Sequence, residues 1–207
     1  MDAETIIADW KRRLTELANN PPYVFRDTPH HLIQDYYRRL TSYAGYSEAE
    51  ISSAEERLCV KFPVVFRTFL REMARSGGEL FRGSHLAGLS DFEDFRDFAT
   101  EIITDTDPTL SLPPNAVVFL EHHGYTFLFM QADGGFDAPI MQWIECEREP
   151  KHAALGFAEL VDAELMLKER NNRSAREKGG YYLTLFPDGT TRETHPALAD
   201  GERPLDN

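Results

Sequence analysis

Along the first half of the chain the apolar residues recur at helical spacing. Ile6, Ile7, Trp10, Leu14 and Leu17 predict a helix with one buried stripe, ended by Asn19-Asn20-Pro21-Pro22, where proline removes a donor and restricts φ. A second helix carries Leu32, Ile33, Tyr36, Leu40 and Tyr43 and is expected to stop at Gly45. Ser47-Glu48-Ala49-Glu50 has the spacing of a capping box, in which hydroxyl and carboxylate each serve an orphan amide, and Ile51, Ala54 and Leu58 supply the stripe that follows. Pro63 suits the first turn of a further helix lined by Phe62, Val65, Phe66, Phe69, Leu70 and Met73 and ended by Ser76-Gly77-Gly78. A short strand is expected around Leu80 and Phe81. Ser90 to Glu93 repeats the capping-box spacing ahead of a helix whose Phe92, Phe95, Phe98, Ala99 and Ile102 face the core. Its Glu93, Asp94, Asp97, Glu101 and Asp105 are left mostly outward, forming the strongest acidic ridge in the chain.

Beyond Pro113-Pro114 the pattern changes to short β-rich runs at 116–121, 125–130 and 140–145, the first two joined at Gly124 as a hairpin. Tyr125, Phe127 and Phe129 alternate with Leu128 and Met130, so both faces are apolar and helices are expected to cover the sheet. Phe157, Leu160, Val161 and Leu165 begin a helix that becomes charged near Lys168 and Arg170 and is expected to fray at Asn171-Asn172. Tyr181–Phe186 and Thr190–Thr194 flank Pro187-Asp188-Gly189, a hairpin able to add an edge ribbon to the sheet, and residues past Pro196 read as a loose tail. Helices followed by strands give an α+β class.

Composition narrows what such a fold does. The chain has 207 residues, 42% of them hydrophobic, enough for one substantial core. Its apolar runs are strand-sized, short of the roughly 20 residues that span a bilayer. Neither a secretory pattern at the N-terminus nor a Cys-x-x-Cys pair occurs, Cys59 and Cys146 being far apart, so a reducing cytoplasm is expected.

The net charge of −13 is unevenly distributed: residues 91–165 hold 16 acidic side chains against Arg96, Arg148 and Lys151, which accounts for the whole excess. Such a surface repels phosphate backbones and anionic lipid, so neither nucleic acid nor membrane is an expected partner, and a basic protein is.

Specific catalytic signals are missing. His122-His123, with Glu121, Asp133 and His152, invites a metal hypothesis, but adjacent strand residues point to opposite faces and Gly124 marks a turn. His30-His31 follows Pro29 at a helix start and reads as structural. Cys59 lies near a helix end beside Val60 and Cys146 in an acidic stretch that raises its pKa, and neither environment is expected to make a reactive thiolate. No nucleophile elbow, phosphate-cradling loop or dinucleotide fingerprint occurs, and Gly77-Gly78 and Gly134-Gly135 read as turn glycines. No catalytic residue, metal ligand or cofactor is assigned.

The stretch Ser47-Glu48-Ala49-Glu50-Ile51, then Ala54-Glu55-Glu56-Arg57-Leu58, Phe62-Pro63 and Phe66-Arg67-Thr68-Phe69-Leu70, resembles the opening of the SUKH superfamily. Leu112-Pro113, the hairpin from Val117 to Phe129, Ile140-Met141-Gln142-Trp143-Ile144 and Gly156-Phe157-Ala158-Glu159-Leu160 are similar to the rest of its core. His122-His123-Gly124 departs from the family's more Gly- and Asp-rich hairpin, and Gly156 stands where a Ser commonly precedes the Phe. The resemblance implies an α+β fold with a mixed, mainly antiparallel sheet flanked by helices. It also implies a family that includes a regulator of cell-wall synthesis and many bacterial immunity proteins against polymorphic toxins, many of them nucleases. The expected organisation is an N-terminal helical extension over 1–45 packed on the core, a SUKH-like core over 46–170, and a hairpin with tail over 171–207.

Charge and resemblance together give the expectation of a non-enzymatic immunity protein whose Glu93, Asp94, Asp97, Glu101 and Asp105 meet a toxin domain with a basic surface. Two rivals remain open at this point: a regulatory or scaffolding module, and a metal-dependent hydrolase using His122 or His123.

Overall fold

A computed structural model describes residues 1–23, 29–186 and 189–194. Six helices run over Ala3–Asn19 (α1), His30–Thr41 (α2), Glu48–Leu58 (α3), Val64–Glu72 (α4), Phe92–Thr106 (α5) and Phe157–Glu177 (α6). Strands His85–Leu86 (β1), Ala116–His122 (β2), Thr126–Gln131 (β3), Ile140–Ile144 (β4) and Lys151–Ala154 (β5) form one antiparallel sheet in chain order. Tyr182–Leu185 (β6) and Thr191–Thr194 (β7) pair with each other in a second, two-stranded sheet. The class is α+β, as the pattern predicts.

Local chemistry accounts for the helix ends. Asp2 caps α1 by accepting the N–H of Thr5 at 2.8 Å, which also holds its carboxyl below the usual range. The capping box at Ser47 forms in full, the hydroxyl accepting from the N–H of Glu50 and Glu50 accepting from that of Ser47. Cys59, at φ 54°, turns the chain out of α3 in the left-handed region. There Glu55, only 4% exposed, reaches across the turn and accepts the N–H of Phe62 at 2.8 Å through Oε1. The Ala54-Glu55-Glu56-Arg57-Leu58 motif thus closes the α3–α4 corner, with Lys61 Nζ and Arg67 Nε at 3.5 and 3.6 Å from the other oxygen of Glu55.

Packing centres on Phe66. Its ring lies 4.9 to 6.3 Å from those of Phe62, Phe69, Phe92, Phe119 and Phe157, which belong to the α3–α4 turn, α4, α5, β2 and α6. Trp10 brings α1 to the same cluster, edge-on to Phe69 and Phe157 at 6.5 and 6.1 Å, and its indole N–H donates to Asp162 Oδ1 at 3.0 Å. Burying these side chains rather than leaving them exposed is worth roughly 1.5–3 kcal/mol each. Phe127, Leu128, Phe129 and Met130 are all buried, so both faces of β3 are covered, as the alternation requires.

Several expectations are corrected. The second helix ends at Thr41 rather than Gly45, and Pro63 stands just before α4 as its cap rather than within its first turn. No strand forms at Leu80 and Phe81; Phe81 takes φ 57° and the strand lies at His85–Leu86. The helix expected to fray at Asn171-Asn172 continues to Glu177, because Asn172 is buried and donates through Nδ2 to the carbonyl of Asn20 at 2.9 Å. The C-terminal hairpin does not extend the main sheet. It leans on the α1–α2 connection, where Tyr181 N–H donates to the carbonyl of Pro22 at 2.8 Å. Its expected turn at Pro187-Asp188 and the tail past Pro196 lie outside the described residues. No described helix is long and apolar enough to cross a membrane.

Candidate partner-binding surface

The α5 helix is built as a two-sided element. Phe92, Phe95, Ala99, Ile102 and Ile103 are buried, and the opposite side carries the acidic residues. Asp94, Asp97, Glu101 and Asp105 follow one another at intervals of three, four and four, which places them in a single stripe along the helix. All four are exposed, and none makes an ion pair or side-chain hydrogen bond among the described residues. Carboxylates elsewhere are largely committed: Glu72 to Lys11 at 2.8 Å, Glu48 to Arg67 at 2.6 Å and Glu169 to Arg13 at 2.6 Å. Hydrogen bonding to Arg67 and to Lys11 holds the Glu48 and Glu72 carboxyls below the usual range.

Glu93 departs from the expected ridge. It is half-buried and tied to Arg57 Nε at 2.8 Å, while the same guanidinium donates to the carbonyl of Leu89 at 2.6 Å. With Glu93 drawn away, the expected capping box at Ser90 does not form. Asp91 is the cap residue, and its carboxylate instead accepts the Gly88 N–H at 2.9 Å and the Ser90 hydroxyl at 2.8 Å, which lowers its pKa.

Phe98, expected in the core, is only partly buried. It lies four residues after Asp94 and three before Glu101, so its ring borders the stripe. At the C-terminal end of α5, Asp107 comes within 3.9 Å of Arg148 in the β4–β5 loop. The same loop meets the β2–β3 turn, where Glu145 N–H donates to the carbonyl of Tyr125 at 2.7 Å. Tyr125, expected on a sheet face with Phe127, is instead 44% exposed and stacks on His123 at 6.1 Å.

The histidines are engaged locally. His122 Nδ1 lies 2.9 Å from Ser84 Oγ, and His123, at φ 54°, is followed by Gly124 at φ 78°, the left-handed pair that a tight reversal takes. Among the described residues no three His, Cys, Asp or Glu side chains converge as a metal site would require. Both cysteines are free and exposed.

One cap that sequence spacing could not reveal is long-range. Asp137 accepts the N–H groups of Phe157 at 2.8 Å and Ala158 at 3.0 Å, serving the start of α6 from twenty residues away. A serine at 156 would supply that oxygen locally; here Gly156 leaves the space that Asp137 fills.

The model of the SMI1 / KNR4 family (SUKH-1) matches residues 45–163, more than half of the chain. No curated protein matches the chain.

Proposed function

Because the chain belongs to the SMI1 / KNR4 family (SUKH-1), we propose that it is a non-enzymatic immunity protein that neutralises a cognate toxin by binding a basic surface on it. The observation that carries this reading is the stripe of four exposed carboxylates on α5, Asp94, Asp97, Glu101 and Asp105, unpaired among the described residues, whose other carboxylates are mostly spent on internal pairs. Charge of this kind accelerates encounter with a cationic partner, while residence time comes from a few desolvated anchors. Phe98 is placed to be one, since an aromatic face beside carboxylates suits the stem and head of an arginine or lysine.

The test is association kinetics with the product of the adjacent gene, which this reading expects to be a toxin. Reversal of Asp94, Asp97 and Glu101 to Lys is expected to slow association at least about tenfold and to flatten its dependence on salt, and Phe98→Ala to speed dissociation. Unchanged association in the charge-reversed protein overturns the acidic-stripe assignment. An adjacent gene product that does not bind at all overturns the immunity reading in favour of a regulatory module.

A further inference from the structure

The outer side of α6 stays apolar in its middle. Met166 is 64% and Leu167 42% exposed, whereas α4 leaves one large apolar side chain in solvent, Val64, and the other described helices leave none. Ala163 is exposed beside them and Leu160 is half-buried. The family match ends at residue 163, so Met166, Leu167 and the Arg170 that follows lie in the part of the helix beyond it.

The spacing along this side is that of a helix seam. Glu159, Ala163, Met166 and Arg170 follow one another at intervals of four, three and four, the a and d positions of a heptad, with Leu160 and Leu167 along one flank. Glu159 and Arg170 are exposed, and neither has an ion-pair partner among the described residues; one oxygen of Glu159 accepts the Leu155 N–H at 2.5 Å. On the other flank Asp162 and Glu169 are already neutralised by Arg13, at 3.0 and 2.6 Å.

The acid therefore stands at one end of the seam and the base at the other, with apolar residues between. A partner surface of a single sign would satisfy one end and oppose the other. A second copy laid antiparallel about a twofold axis satisfies both: Glu159 of each copy meets Arg170 of the other, Ala163 meets Met166, and Leu160 meets Leu167 along the flank. A parallel pair would instead set Glu159 against Glu159 and Arg170 against Arg170. Ala163, being small, lets the two axes approach to about 8 Å.

We propose that two copies of this protein associate through α6, antiparallel and about a twofold axis. A single helix pair of this length covers less than the roughly 1,600 Å² of a standard interface, so the dimer is weak, with a dissociation constant of about 10–100 µM.

Sedimentation equilibrium of the full chain between about 1 µM and 1 mM tests this. Met166→Lys, at an exposed position without a hydrogen bond, is expected to weaken the dimer at least about tenfold. Glu159→Arg and Arg170→Glu are each expected to do the same, because each sets like charges against one another at both ends of its own dimer. Mixed in equal amounts, the two single variants should recover the parent affinity, since the mixed pair places opposite charges at both ends. Glu159→Arg keeps the long-range cap of α6 by Asp137, and circular dichroism checks its folding. A parent protein that stays monomeric to about 1 mM overturns the proposal and leaves this face to a foreign protein or to residues 195–207 of the same chain. An unchanged dimer in any single variant, or a mixture no tighter than its components, overturns it as well. None of these residues belongs to the α5 stripe, so the immunity reading does not depend on the outcome.

Discussion

Asp137 and Gly156 are fitted to each other: the carboxylate that caps α6 occupies the space a side chain at 156 would take, and a Cβ added there collides with Asp137 Oδ2. Asp137→Ala is expected to cost about 1–2 kcal/mol, the usual loss of a cap. Gly156→Ala should cost a similar amount by displacing the carboxylate. The double variant should cost clearly less than the sum, because the collision disappears with its partner. Urea denaturation of the four proteins measures this, and strict additivity would show the two positions to be independent.

Glu55 contributes differently, as a buried carboxylate that satisfies the Phe62 N–H at the α3–α4 corner. Glu55→Gln keeps an acceptor of the same shape and is expected to cost about 1 kcal/mol, while Glu55→Ala strands the buried amide and should cost about 2–3 kcal/mol. Equal losses in the two variants, read from denaturant midpoints, would mean that charge rather than the acceptor holds the corner.

The exposed stripe on α5 should work against stability. Asp97 and Glu101, and Glu101 and Asp105, are like charges four apart, each pair costing about 0.2–0.5 kcal/mol. Asp105 also lies in the last turn of a helix that has no basic residue there, against the helix dipole. Glu101→Gln and Asp105→Lys are therefore expected to raise the denaturation midpoint at low salt, with the gain fading at 1 M salt. If either variant is less stable than the parent, the stripe is a structural feature and its retention needs no partner to explain it.

Acid should unfold the protein by a traceable route. Lys11 holds the Glu72 carboxyl, and the Gly88 N–H holds that of Asp91, below their ordinary values of 4.5 and 3.8. Groups lowered on folding contribute stability that is complete above the ordinary value and is lost as pH falls through the folded one. The melting temperature is expected to be level above about pH 5.5, one unit over the glutamate value, and to drop below 4.5. Glu72→Gln should begin lower and fall less steeply across that window. A parent protein equally stable at pH 3 and pH 7 would contradict this.

How much of this was legible in the sequence follows from the range of each interaction. The stripes of α1, α4 and α5, the Ser47 box and the β2–β3 hairpin rest on neighbours within a few residues, so spacing reveals them. The acidic stripe was legible for the same reason, apart from Glu93, which Arg57 claims from a helix 36 residues away. What stayed hidden depends on distant partners. The polar strand β5 is recognisable only beside β4, and Asn172 reads as a fraying residue until Asn20, 152 positions earlier, provides its acceptor. The Ser90 spacing misleads because a local motif lost its carboxylate to a long-range ion pair.

The ring of Phe66 touches rings from three other elements and the turn between α3 and α4, and through Phe92 one of those elements is α5. A protein that pulls on the outer side of α5 therefore pulls on a rivet common to helices and sheet. The load is shared by the whole body rather than borne by one helix.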